Sequence, residues 1–281
     1  MTPKTVVVTG ASDGIGLECA RQVAALGHRV VMVGRNPDKT RAAVASVRAS
    51  APGAVVEQAL VDLASQDSVR ALADHLLAAC ERIDVLVSNA GSVFERRTLT
   101  DAGIEATFAV NHLGGFLLTE LLRERIVAGA PARIVITSSR GHYSGTLDFT
   151  DLGFERGYSI LRAYSRSKLA NVLHTRELAR QLDGTGVTVN CLHPGAVATS
   201  IWSGAPWWAR PVLALGKRVA MISPEEGGAH LAYLAVGPEV EGRTGGYYDE
   251  GRLTEPSTVA RNEAVACRLW AESQRLVGLP A

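Results

Sequence analysis

Short β-branched and apolar runs recur along the chain, with amphipathic stretches between them. Continuous apolar runs at 5–9, 29–33, 55–61, 85–88, 133–137, 187–192 and 246–249 have the character of strands covered on both faces. Between them, 15–26, 38–48, 66–79, 101–127, 163–182 and 224–236 repeat apolar residues at spacings of three and four, and 257–277 fits a closing helix. Strand and helix in alternation predict an α/β protein: a doubly wound, seven-stranded parallel sheet with helices on both faces. Ser223-Pro224-Glu225-Glu226 places a hydroxyl at the N-cap, proline at N1 and glutamate at N3, the pattern of a capping box. Asp183-Gly184-Thr185-Gly186 supplies glycines that end the helix before it. No repeat, low-complexity tract or linker interrupts the pattern, so a single domain over 1–281 is expected.

Composition agrees with a large buried core: 47% of the 281 residues are apolar and 20% charged, which excludes long disorder. A formal charge of +1 gives no long-range field toward nucleic acid or anionic lipid, so any bound anion must be held locally. Cys19, Cys80, Cys191 and Cys267 are scattered, with neither Cys-x-x-Cys nor His-Glu-x-x-His, so no disulfide framework and no metal site is expected. The first residues enter a strand-like run at once, and no apolar run reaches about 18 residues. A soluble cytoplasmic protein without a membrane span or nucleic-acid partner is the expectation.

Thr9-Gly10-Ala11-Ser12-Asp13-Gly14-Ile15-Gly16 follows the first strand and opens into a helix. Glycines let a pyrophosphate approach the backbone, and the free amides and dipole of the helix start favour its charge. Together with the sheet pattern, this predicts a Rossmann fold binding a dinucleotide through Gly10, Ser12, Asp13, Gly14, Ile15 and Gly16. The second strand ends in Val33-Gly34-Arg35-Asn36, with no carboxylate for the adenosine ribose. Arg35 can pair with a 2′-phosphate, which favours NADP(H) over NAD(H); the other reading is a solvated turn arginine, and Asp13 is a mild counter-signal. Asp62-Leu63 closes the third strand where a carboxylate and amides can meet the adenine edge, although an N-cap aspartate would look the same.

Tyr164-Ser165-Arg166-Ser167-Lys168 puts a phenol and an ammonium at i and i+4 on one helix face. A nearby cation favours phenolate, which makes the tyrosine a usable proton donor and acceptor near neutral pH. Two hydroxyls, Ser138 and Ser139, end the strand just upstream, where α/β sheets place ligands.

In this order the motifs resemble the short-chain dehydrogenase/reductase family over essentially the whole chain. The glycine loop resembles its coenzyme loop, Asn89-Ala90-Gly91 its turn after the fourth strand, and His193-Pro194-Gly195 its Pro-Gly after the sixth. The resemblance implies that Tyr164 is the general acid/base, that Ser139 orients the substrate oxygen, and that Lys168 holds the nicotinamide ribose and lowers the phenol pKa. It implies further that Asn111 completes a proton relay through water, and that Val197 and Thr199 join Pro194 and Gly195 at the nicotinamide. The segment 140–163 and Tyr164-x-x-x-Lys168-Leu169-Ala170-Asn171 resemble the retinol-dehydrogenase-like branch, whose members act on lipophilic alcohols and carbonyls with NADP(H).

Three of the four tryptophans, Trp202, Trp207 and Trp208, lie with Pro206, Pro211 and Val212 in 196–222, which resembles the substrate-covering loop of the family. Their area favours an apolar or aromatic guest; packing on the protein itself or on a second subunit is the alternative. His112, His142 and His193 receive no catalytic role. The sequence therefore predicts an NADP(H)-dependent alcohol dehydrogenase or carbonyl reductase. The rival is a non-catalytic NADP(H) sensor or scaffold on the same fold, which would tend to lose one of the hydroxyls. A sugar-nucleotide epimerase would show a different glycine spacing and a longer chain. Members of the family often form dimers or tetramers through the helices carrying Asn111 and Tyr164, so a homo-oligomer is a candidate assembly.

Overall fold

The computed structural model describes residues 2–196 and 222–280. In chain order these form β1 (Thr5–Thr9), α1 (Gly14–Ala25), β2 (Arg29–Gly34), α2 (Pro37–Ser50), β3 (Val56–Leu60), α3 (Gln66–Ala79) and β4 (Val85–Ser88). There follow α4 (Ala106–Phe108), a π turn (Ala109–Leu113), α5 (Gly114–Ala128), β5 (Ala132–Thr137), a 3-10 turn (Arg140–Ser144) and α6 (Ile160–Gln181). The chain closes with β6 (Val187–His193), α7 (Pro224–Val236), β7 (Tyr247–Asp249), β8 (Arg252–Thr254) and α8 (Glu263–Leu276).

The sheet order is β3-β2-β1-β4-β5-β6-β7-β8, with β1 to β7 parallel. An eighth strand extends the predicted seven. Glu250 and Gly251 both adopt positive φ, which turns the chain back so that β8 runs antiparallel to β7, with Tyr247 opposite Thr254. Three largely exposed residues carry no periodicity by which sequence could mark them.

Alternate residues of the valine-rich strands feed two separate cores. On one face Val7, Leu86 and Ile134 pack with Leu76, Phe116, Leu169, Leu173 and Leu269 from α3, α5, α6 and α8. On the other, Val6, Val8, Val30 and Val87 pack with Cys19, Val23, Val47 and Leu231 from α1, α2 and α7. Each fully buried Val or Leu contributes roughly 1.5–3 kcal/mol, so the strands that end at the site are held firmly. The predicted capping box of α7 is formed: Glu226 N–H donates to Ser223 Oγ at 3.2 Å, and Ser223 N–H to Glu226 Oε2 at 3.0 Å.

The helix predicted over 101–127 begins later and is broken. Glu105 starts it, its two carboxylate oxygens accepting from the N–H groups of Thr107 and Phe108, both at 2.8 Å. A π turn then widens the coil at Ala109–Leu113. The closing helix likewise starts at Glu263, capped by Asn262, rather than at 257.

β1 lies between β2 and β4, so the order reverses there and a crevice opens at the carboxyl ends of the strands. Among the described residues, no helix is long and apolar enough to cross a membrane.

Candidate active site

The turn from β1 into α1 is built on glycine. Gly10 and Gly14 have φ of +67° and +55°. At Gly16 a Cβ would lie 2.3 Å from Gly10 O and 2.5 Å from Asn89 Nδ2, so only glycine lets the helix start close down on the strand end. Asp13 is the N-cap, Oδ1 accepting from Gly14 N–H at 2.8 Å. Its Oδ2 stands 3.5 Å from Lys39 Nζ, so the charge that counts against a 2′-phosphate has a cation beside it. At Gly34, the end of β2, a Cβ would stand 2.2 Å from Thr40 Oγ1 and 3.3 Å from Ser12 Oγ of this loop. Arg35 follows, exposed and, among the described residues, in no ion pair.

Asp62 Oδ1 accepts from Ala64 N–H at 3.0 Å and so shapes the turn after β3. Leu63 packs on α5, where a Cβ at Gly114 would meet the Leu63 carbonyl oxygen at 2.6 Å. Asn89 pins three strand ends together. Its Nδ2 donates to the Thr9 carbonyl at 3.0 Å, and its Oδ1 accepts from Thr137 Oγ1 at 3.2 Å. Thr9 Oγ1 in turn accepts from the N–H groups of Asn89 and Ala90. Gly91 is the close neighbour of Asn111 and Lys168, where a Cβ would lie 3.3 Å from Asn111 Oδ1.

The adjacent serines after β5 separate by direction. Ser138 is buried and its Oγ donates to the Lys168 carbonyl at 2.8 Å. Ser139 caps the 3-10 turn, accepting from Gly141 N–H at 3.1 Å, and hydrogen-bonds the Tyr164 phenol. Lys168 is buried, its Nζ 5.6 Å from the Tyr164 ring centroid and 3.1 Å from the Thr137 carbonyl oxygen that accepts from it. Burial lowers the Lys168 pKa to about 8. The Tyr164 phenol is pushed upward by burial, with the Ser139 hydrogen bond opposing. In the chain by itself, desolvation thus outweighs the lowering expected from the tyrosine–lysine spacing.

Asn111 sits in the π turn, a feature often found at functional sites. Its Oδ1 accepts from Ser92 N–H at 2.7 Å, its Nδ2 donates to Ser167 Oγ at 3.0 Å, and its carbonyl accepts from Asn171 Nδ2 at 3.0 Å. Asn111, Ser139, Tyr164 and Lys168 therefore converge on one end of the sheet.

Two supporting residues have no clear mark in the sequence. His142 Nδ1 donates to the Ser139 carbonyl at 2.7 Å while Nε2 accepts from Ser257 N–H at 3.1 Å, which ties the serine turn to the C-terminal segment. Arg166, inside the Tyr-Lys motif, donates to the carbonyls of Thr146, Asp151 and Leu152 and lies 3.5 Å over the Phe154 ring, holding the inserted segment against α6. Its one signal is an arginine followed by Leu169 and Ala170 at i+3 and i+4. Pro194 accepts from His230 Nδ1 at 2.9 Å, and Gly195 has φ of +106°. Val197, Thr199 and the tryptophans of the predicted covering loop lie outside the described residues. His193, Asp249 and Glu250 bring ligand-type atoms within 4.8 Å of one another, but Arg140 already engages both carboxylates, at 2.8 and 3.4 Å.

The fold agrees with comparisons to known proteins. Residues 4–208 match the family model described as short chain dehydrogenase. The chain is 42% identical to human (Homo sapiens) retinol dehydrogenase 13, over 99% of this chain and 86% of that one. A crystal structure of an uncharacterized protein from Mycobacterium Paratuberculosis superposes with a TM-score of 0.77 at 31% identity, covering 99% of this chain and 95% of the other. A protein described as an NAD(P) dependent gluconate 5-dehydrogenase from Beutenbergia cavernae, with bound NADP, superposes with a TM-score of 0.72 at 27% identity, covering 88% and 94%. The chain belongs to the short-chain dehydrogenase/reductase family, is retinol-dehydrogenase-like, and is an oxidoreductase acting on CH–OH groups with NAD(P).

Proposed function

We propose that this single-domain protein is an NADP(H)-dependent alcohol dehydrogenase or carbonyl reductase for lipophilic substrates, with Tyr164 as general acid/base. The observation that carries this reading is the Tyr164 phenol, hydrogen-bonded by the Ser139 hydroxyl, with the Lys168 ammonium 5.6 Å from its ring at the carboxyl end of the sheet. A dinucleotide fits the residues present, because Gly10, Gly14 and Gly16 leave no side chain over the start of α1, whose amides suit a pyrophosphate. Bound NADP(H) supplies or accepts the hydride at nicotinamide C4.

In reduction the Tyr164 hydroxyl gives its proton to the carbonyl oxygen, and in oxidation it takes that proton back. Ser139 Oγ hydrogen-bonds the same oxygen and orients it. Lys168 spends one N–H on Thr137, and its other two suit the ribose hydroxyls of the nicotinamide. Its charge favours phenolate and so opposes the desolvation of the phenol. The Asn111 carbonyl has a second lone pair for a water that passes protons toward Lys168. Pro194, Gly195, Val197 and Thr199 serve the nicotinamide, Asn89, Ala90 and Gly91 the face beneath it, and Asp62 and Leu63 the adenine.

Arg35, exposed and without an ion pair among the described residues, supports pairing with a 2′-phosphate, and Lys39 offsets the Asp13 charge beside it. Lipophilic substrates are supported by Leu161, exposed one turn before Tyr164, by the three tryptophans in the sequence of 196–222, and by the retinol dehydrogenase names of the relatives. The test is kcat/KM for aldehydes and ketones from short aliphatic to bulky polycyclic, with NADPH and with NADH. The expected result is a rise with apolar size and a preference for NADPH; equal use of both coenzymes, or a preference for small polar carbonyls, contradicts it.

A further inference from the structure

We infer that Asn171 is a positioning residue for the reaction: its side-chain amide, oriented by His112, holds the carbonyls of Asn111 and Thr137 and through them the place of the Lys168 ammonium. The inference rests on the reading of Tyr164 and Lys168 given above. Asn171 lies three residues beyond Lys168 on the same face of α6 and is 4% exposed. Both hydrogens of its Nδ2 are used, one on the Asn111 carbonyl and one on the Thr137 carbonyl, each at 3.0 Å.

The polarity of the whole chain of bonds follows from those two carbonyls. A carbonyl only accepts, so the NH2 end of the amide faces them and Oδ1 faces His112 Nδ1 at 3.3 Å. His112 Nδ1 therefore carries the proton, and Nε2 accepts from Ser273 Oγ at 2.9 Å. Burial drops the His112 pKa to about 4, in keeping with one ring proton. Phe108 and Phe116 lie 5.1 and 6.0 Å from its ring and fix the plane. One ordered line of donors thus joins α8, the π turn, α6 and the end of β5.

The Thr137 carbonyl is the point of contact with the chemistry, since it accepts from Asn171 Nδ2 at 3.0 Å and from Lys168 Nζ at 3.1 Å. Both of its lone pairs are occupied, which sets where the ammonium stands relative to the phenol. Without the Asn171 amide the ammonium is the remaining donor to this carbonyl and settles toward it, while the Asn111 turn loses its tie to α6. With coenzyme bound, the field of the ammonium on the phenol then weakens, and phenol ionisation moves to higher pH. Among the described residues, the titratable and hydroxyl groups facing Tyr164 are Lys168 on α6 and Ser139 after β5. Those facing His112 are Ser273 on α8 and the His174 ring on α6, 5.8 Å away.

The experiment titrates Tyr164 in the NADP+-saturated protein, as the ultraviolet difference between each protein and its Tyr164→Phe counterpart, which needs no turnover, alongside kcat and KM. Asn171→Ala is expected to raise the ionisation by about half a pH unit or more and lower kcat about tenfold, leaving carbonyl KM within about twofold. Unmoved ionisation in folded Asn171→Ala overturns the inference. A raised ionisation in a protein that turns over no carbonyl supports it and overturns the reductase reading instead. If Asn171→Ala does not fold, His112→Gln and His112→Leu replace it, because glutamine can donate to Asn171 and accept from Ser273 and leucine can do neither. Ionisation near the wild-type value in the glutamine variant and raised in the leucine variant supports the inference; equal values overturn it.

Discussion

The hydroxyl of Ser138 donates to the main-chain carbonyl of Lys168 at 2.8 Å, fastening the end of β5 to the helix that carries the tyrosine and lysine. Its neighbour Ser139 turns toward Tyr164 instead. Substituting them one at a time should therefore separate stability from chemistry. Ser138→Ala is expected to lower unfolding free energy by about 1 kcal/mol with kcat within a few-fold. Ser139→Ala, which gives up only the partly exposed turn cap at Gly141 N–H, is expected to cost no more stability than Ser138→Ala and to lose about 10²-fold in kcat. Urea unfolding and steady-state kinetics on both variants check this, and a reversed pattern would assign the roles the other way round.

Lys168 carries a stability cost with a defined pH window. Burial lowers its pKa from 10.5 to about 8, so folding disfavours the ammonium by on the order of 3 kcal/mol below pH 8. Between pH 8 and 10.5 the unfolded chain binds more protons than the folded one, so stability from this group rises with pH and the cost is gone above 10.5. Lys168→Met, without added coenzyme, should melt several degrees above wild type at pH 7, and this advantage should shrink as pH rises from 8 toward 10.5. An advantage that stays constant over that range would contradict the account.

Gly16 leaves no room for a methyl group, since a Cβ there would stand 2.3 Å from Gly10 O and 2.5 Å from Asn89 Nδ2. Gly16→Ala must push α1 off the strand end or displace the Asn89 side chain that pins β1 to β4 and β5. The expected loss is about 3 kcal/mol of unfolding free energy, together with weakened coenzyme binding. Chemical denaturation and coenzyme titration would show it, and a variant as stable as wild type would mean the loop can open freely.

Arg35 and Lys39 differ in what they are expected to do for coenzyme choice. Arg35→Ala should weaken NADPH about tenfold or more while NADH changes little, because only the 2′-phosphate gains from the guanidinium. Lys39→Ala should remove one cation from beside Asp13 and cost NADPH a smaller factor, as expected for an exposed pair at 3.5 Å. Binding titrations with both coenzymes check the order; equal losses for NADPH and NADH in Arg35→Ala would remove the 2′-phosphate from the argument.

Much of this architecture is visible in the residues. The valine runs that become β1, β2 and β4 are buried on both faces, and a run of that kind has few other ways to be covered. The Ser223 capping box is legible because both of its bonds are local. What the residues do not disclose depends on contacts far along the chain. The π turn at Ala109–Leu113 has no sequence mark, and its Asn111 carbonyl finds Asn171 60 residues away. Glu105 begins its helix by taking two amides at once, an unusual use of a residue that ordinarily reads as helix interior. Ser139 and Tyr164 can be paired by motif, but the raised phenol cannot, since it reflects burial by the whole fold.

The central claim is that Tyr164 moves the proton that accompanies hydride transfer. Its most direct test is carbonyl-dependent NADPH oxidation by wild type and Tyr164→Phe, side by side, with NADPH affinity measured on both. Turnover is expected in wild type, with its loss in the phenylalanine variant and nearly equal NADPH affinity in both. A phenylalanine variant that keeps a large share of the wild-type rate would contradict it.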